Sequence, residues 1–174
     1  SSSTSEKIVA VNIFDGLFKL SENGEPQKCA VKDYKVSPDG LTYTFYLKEN
    51  MKYYISGEVK DFLEEKGKTI EGKVTAKDFV FGITRAVLPE TNSQDYGILS
   101  IIKNAEKVHN GEMSADELGI KAINDYTLEI TLHEKSSDFL YALSQPVSFP
   151  CDEEFFNITD GRYGLDEEYI ISNG

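Results

Sequence analysis

The residues of this chain best suited to chemistry are its carboxylates, two histidines and two cysteines. Neighbouring acids occur at Glu64-Glu65, from Asp152 to Glu154 and from Asp166 to Glu168. Acid catalysis on the glycosidase pattern needs two carboxyls facing each other across a gap of roughly 5–10 Å, and adjacency in sequence says nothing about that gap. With 30 acidic residues among 174, such pairs follow from composition and read as solvated faces. His109 and His133 are isolated, with no Ser or Cys partner evident for a triad. Cys29 and Cys151 lie far apart, without CxxC or Cys/His spacing, so no metal site is predicted and two buried free thiols are expected. No GxSxG elbow, HExxH, P-loop or GxGxxG occurs. Residue chemistry therefore predicts no enzymatic centre and no cofactor, and points to a soluble, acidic α+β binding or interaction domain.

Eighteen basic residues against thirty acidic ones give a net charge of −12. A field of that sign repels phosphate backbones and anionic lipid, so nucleic acid is not an expected partner. No stretch approaches the ~20 apolar residues that a membrane-spanning helix needs. The opening SSSTSEK lacks the basic and apolar regions of an export signal.

Those residues must be carried by regular elements, and the stretch the chain is built around is Leu118 to Leu132. Leu118, Ile120 and Ala122 alternate on one arm, Leu128, Ile130 and Leu132 on the other, around Asn124 and Asp125. An odd loop, such as Ile123 to Asp125, places all six on one face and leaves Lys121, Thr127, Glu129 and Thr131 on the other. A second hairpin is predicted from Tyr34 to Leu47, turning at SPDG, where Gly40 permits positive φ. Together they predict one mostly antiparallel sheet with an apolar side that needs a cover.

Helical patterns supply that cover. Thr75 caps a helix over 75–88 with Asp78 three residues on and Pro89 beyond its end. A second helix is predicted from about Ile98 to His109, stopped by Asn110-Gly111. Shorter helices are predicted after Ser3, after Ser137 and over 153–157, with an extended Val147 to Phe149 between Pro146 and Pro150. The charged stretch between Met51 and Gly72 reads as a surface excursion.

The order of five segments carries more information than any one of them. VSPDGLTYTFYLKENMKY, VTAKDFVFGITRAVLPET, IKNAEKVHNGEMSADELGIKAINDYTLEITL, FPCDEEFF and YIISNG succeed one another in a way that resembles the peptide- and oligopeptide-binding proteins of ABC transporters. The resemblance implies an N-proximal fragment of a two-lobed, periplasmic-binding-protein-like fold. It implies an edge of lobe one in residues 1–13, the additional domain in 14–148 and a return into lobe one in 149–174. It further implies a peptide ligand contacted by Ser3, Thr4, Tyr96, Ser172, Asn173 and Gly174, and a membrane permease as partner. An extracytoplasmic location, with a lipid anchor upstream of residue 1, and a monomeric fragment too incomplete to bind peptide follow as expectations. One departure stands out: the family's Trp-x-Asp-Gly segment is replaced by Tyr53-Tyr54-Ile55-Ser56-Gly57. The alternatives are a carboxylate-using hydrolase domain, marked by acids converging in a deep pocket, and an acidic protein-interaction domain.

Overall fold

The computed structural model describes residues 16–55, 57–68, 72–158 and 171–172. The predicted helix after Ser3 lies outside these residues, as do Thr4, Asn173 and Gly174. A short hairpin comes first, with β1 at Phe18–Leu20 and β2 at Pro26–Lys28. It leads into β3 at Val31–Val36 and β4 at Thr42–Leu47, which join β6 at Ile120–Asn124 and β7 at Thr127–Thr131. These four form one antiparallel sheet in the order β3-β4-β7-β6. The remaining ribbon pairs β5, Tyr54–Ile55, with β8, Ile171–Ser172. The fold is therefore α+β, as the hairpin and helix patterns predict.

Register puts the apolar residues together. Phe45 stands opposite Leu128 and Tyr34, and Ile130 opposite Tyr43 and Ile120. Phe45, Leu128 and Ile130 are fully buried. The opposite face carries Lys121 against Glu129, 3.5 Å apart, and Thr42 against Thr131. The β6–β7 turn differs in detail from the expected three-residue loop. Asp125 and Tyr126 form the turn, and a bulge at Ile123 absorbs the extra residue, so Ile120 meets Ile130 and Ala122 meets Leu128. Parity is preserved, and with it the two faces. At the SPDG turn Gly40 adopts φ 76° and its N–H donates to the Ser37 carbonyl at 2.8 Å.

The cover is α2, Ala76–Val87, whose Phe79, Ile83 and Val87 are fully buried against the sheet's inner side. Before it, α1 spans Gly57–Glu65. That stretch is more than a surface excursion, because Val59 and Leu63 are buried in the core. An aromatic cluster closes the other end, with Phe139 edge-on to Tyr43 at 4.9 Å and Phe18 edge-on to Phe45 at 5.8 Å.

Two further expectations are corrected. The predicted helix from Ile98 to His109 is two short helices, α3 at Ser93–Leu99 and α4 at Ala105–His109. Residues 101–103 instead bond to the end of β7: His133 N–H donates to the Ile101 carbonyl, and Lys103 N–H to the Thr131 carbonyl. Sheet hydrogen bonds there outcompete the helical ones, and Asn104 turns the chain back at φ 68°. Of the stretch Val147 to Phe149 only Phe149 is extended; Pro146–Ser148 forms a 3₁₀ turn with proline at its first position. It follows α5, Phe139–Ala142, and precedes α6, Glu153–Ile158. Neither cysteine is in a disulfide, and Cys151 is buried, but Cys29 is only half-buried.

Candidate functional site

Of the residues the resemblance selects, Tyr96 and Ser172 are described. Tyr96 lies on α3, stacked on the His109 ring with centroids 3.9 Å apart and planes within 6°. His109 is anchored in turn by Nδ1, 2.9 Å from the Val87 carbonyl at the C-terminal end of α2. Burial and the Glu106 carboxylate both raise the Tyr96 phenol above its ordinary pKa. Ser172 is in β8, paired with Tyr54 of β5.

The ribbon abuts the opposite end of α2. Tyr53 N–H donates to the Gly72 carbonyl at 2.6 Å, Val74 N–H to the Met51 carbonyl at 3.1 Å, and Lys52 bridges Lys73. Segments 51–53 and 72–74 are thus laced together immediately before α2 begins. The Tyr53 ring is buried, and Asp78 stands in the first turn of α2. Asp78 and Val87 are separated by about 14 Å along the helix at 1.5 Å per residue. The structure therefore sets Tyr96 and the Ser172 ribbon at opposite ends of α2.

Asp78 is the most perturbed carboxyl among the described residues. It is only 4% exposed, and its Oδ2 accepts the Thr75 N–H at 3.1 Å, the reverse half of a capping box. Burial pushes its carboxyl up to about 6, and the nearby Asp152 pushes the same way; the hydrogen bond from the Thr75 N–H, the Tyr53 hydroxyl nearby and the charge of Lys77 oppose the rise. Lys77, Asp78, Asp152, Glu153, Glu154 and Asn157 line a cavity of about 350 Å³. Acids do converge here, but the two innermost are engaged by backbone. Asp152 caps α6 by accepting the Phe155 N–H at 2.8 Å, as Asp78 accepts that of Thr75. Among the described residues no group of three or more His, Cys, Asp or Glu is placed to hold a metal ion.

Behind the cavity residues 149–156 dock on α2. Cys151 N–H donates to the Asp78 carbonyl at 3.0 Å, and the Arg85 guanidinium lies 3.9 Å from the centre of the Phe156 ring. Burial pushes the Cys151 thiol up to about 12 despite Arg85 beside it. A second, open groove of about 410 Å³ separates α2 from the free edge strand β6, with Phe81, Ile120 and Ala122 on its walls.

Residues 25–174 match the model of the bacterial extracellular solute-binding proteins, family 5, middle region. The chain belongs to this family. It is 34% identical over 166 residues to the dipeptide-binding protein of Lactococcus lactis, covering 95% of this chain and 28% of that one. It is similar in structure to the substrate-binding domain of an oligopeptide ABC transporter from Bacillus anthracis, with TM-score 0.79, 33% identity, and 100% of this chain against 30% of the other. Listeria monocytogenes OppA bound to peptide matches at TM-score 0.79 and 29% identity, over 99% of this chain and 31% of that one. The chain thus spans about three tenths of the length of these family members. Among the described residues no helix is long and apolar enough to cross a membrane.

Sequence reasoning selects Asp78 only as a helix cap. The main-chain bond from Cys151 to its carbonyl joins residues 73 positions apart, and no local spacing encodes that.

Proposed function

We propose that this chain is part of the substrate-binding component of an ABC importer that captures peptides outside the cytoplasm and presents them to a membrane permease. The observation that carries the reading is the match of nearly the whole chain to peptide-bound OppA of Listeria monocytogenes. The family is one of binding proteins, and both inner carboxylates of the acidic cavity are tied into helix caps, so the reading is of a non-enzymatic module. In it, residues 1–13 and 149–174 belong to the first lobe and 14–148 to the additional domain. Tyr96 approaches ligand from the additional domain, while Ser3, Thr4, Ser172, Asn173 and Gly174 approach it from the first lobe. Main-chain hydrogen bonds from the ribbon region suit peptides of varied sequence. Residues 1–174 alone are then a monomer that folds and binds peptide weakly or not at all, and the whole protein is held at the membrane by a lipid anchor.

Isothermal titration of the whole protein with peptide mixtures tests this. Heat and saturation with peptides are expected. A response to sugars or metal ions without any response to peptides would overturn the reading, as would tight peptide binding by residues 1–174 in isolation.

A further inference from the structure

Resting on the peptide-binding reading and deepening it, we propose that His109 is a positioning residue that holds the Tyr96 ring in place for the peptide. Helix α3 cannot do this alone. It has seven residues, and only Leu99, the last of them, is buried. A helix that short does not hold itself in water, so what fixes Tyr96 must come from outside α3. Asn92 secures the start by accepting the Asp95 N–H at 2.9 Å. Tyr96, the fourth residue, is left to be fixed by its own contacts.

The contact is His109 of α4. Its imidazole lies flat on the phenol ring, with centroids 3.9 Å apart and planes within 6°, and a stack so close constrains the tilt of both rings. His109 is in turn seated on the core. Its Nδ1 stands 2.9 Å from the Val87 carbonyl, and a carbonyl only accepts, so Nδ1 carries the proton. Val87 ends α2, where carbonyls lack partners within the helix and a histidine side chain can cap them. Phe79, Ile83 and Val87 of α2 are fully buried, and Val108, next to His109, is buried too. The position of α2 thus reaches the Tyr96 ring through one hydrogen bond and one stack. The ring is half-buried, and among the described residues its hydroxyl has no hydrogen-bond partner. A held ring with an unengaged hydroxyl suits a ligand recognised by its main chain.

The test uses the whole protein and three variants. His109→Asn keeps a donor near the Nδ1 position and removes the ring, His109→Phe keeps a ring and removes the donor, and His109→Ala removes both. Tyrosine ring resonances are followed by NMR, with Tyr96 assigned from its loss in Tyr96→Phe. Affinity is titrated with a pool of random-sequence oligopeptides. In the wild type the stacked imidazole should shift the Tyr96 ring protons upfield. His109→Asn and His109→Ala should return them towards free tyrosine and weaken affinity by roughly 3- to 10-fold, the effect of one aromatic pair. His109→Phe should keep the shift and most of the affinity. Its Tm should nevertheless fall below that of His109→Asn, because the Val87 carbonyl loses its donor. A histidine with a merely structural role would make affinity follow Tm across the variants, and that ranking overturns the proposal. An unmoved Tyr96 resonance in His109→Ala also overturns it, as does a moved resonance with unchanged affinity; in each case the peptide reading stands while the wild type binds the pool. A wild type that binds no peptide overturns the peptide reading and the ligand role of the pair together, and a resonance that moves even then supports the stack as the anchor of α3.

Discussion

Gly82 of α2 and Phe149, just after the Pro146–Ser148 turn, meet backbone to backbone: a β-carbon on Gly82 would stand 2.4 Å from the Phe149 carbonyl oxygen. A second contact, 3.3 Å to the Cys151 amide nitrogen, leaves no side chain that could move aside. Glycine is thus required in mid-helix for closeness, not for backbone angle, against its usual helix cost of about 1 kcal/mol. Gly82→Ala should push the 149–151 segment off α2 and destabilise the domain by roughly 1–3 kcal/mol, in the range of an overpacked core. For a domain of this size that lowers Tm by about 2–4 °C per kcal/mol. Thermal unfolding checks it, and an unchanged or raised Tm, as helix propensity alone would give, would refute the close contact.

Asp78 makes stability depend on pH with a definite sign. Its folded pKa of about 6 lies above the ordinary 3.8, so ionising it costs more in the folded state than in the unfolded one. Its contribution is fully present below 3.8 and lost as pH rises through about 6, a swing of up to about 3 kcal/mol. The groups around it are Lys77 on its own helix, Tyr53 before the ribbon, and Cys151, Asp152, Glu153 and Glu154 on the return side. Urea midpoints of the wild type and Asp78→Asn should converge near pH 4, and the variant should be the more stable at pH 7. Parallel pH profiles would show that Asp78 does not titrate in this window.

How far the sequence reaches is clear from these two sites. Local signals suffice for the hairpins, because alternation fixes which residues share a face even where the turn closes by a bulge at Ile123 rather than a longer loop. They suffice for α2, whose cap, stripe and terminating proline all lie within fifteen residues. They fail at residues 98–109, where a good helical stripe is cut by the Lys103 N–H bond to the Thr131 carbonyl and the His133 N–H bond to the Ile101 carbonyl, both to residues far along the chain. They fail again at Val59 and Leu63, since two apolar residues in a charged stretch do not announce a core. For the candidate site, Tyr96 and Ser172 come from resemblance rather than from chemistry, and the main-chain bond from Cys151 to Asp78 is visible from neither.

Cys151 should be inert in the folded protein. The thiolate is the reactive form, and burial pushes this thiol up to about 12, well above its ordinary range. Iodoacetamide at pH 8 should leave Cys151 unmodified in the native state and alkylate it once urea unfolds the chain, with peptide mass mapping as the readout. Fast native labelling would mean that the segment against α2 opens readily.

Adjacent positions on β7 should respond in opposite ways to the same substitution. Leu128 is fully buried, facing Phe45 on one neighbouring strand and Ala122 on the other. Truncating it removes its methyl groups from the centre of the sheet's packed face and leaves a void that α2 and the aromatic cluster cannot fill without moving. Leu128→Ala should therefore cost about 2–5 kcal/mol. Glu129 points to the other face, where its partner Lys121 has a side chain 65% exposed. An ion pair so open to water is worth little, because solvent screens the charges and both long side chains lose freedom. Glu129→Ala should change stability by less than about 0.5 kcal/mol. Denaturant titration of the two variants checks the register directly. A slip of one residue would exchange the two results, since every side chain would move to the opposite face.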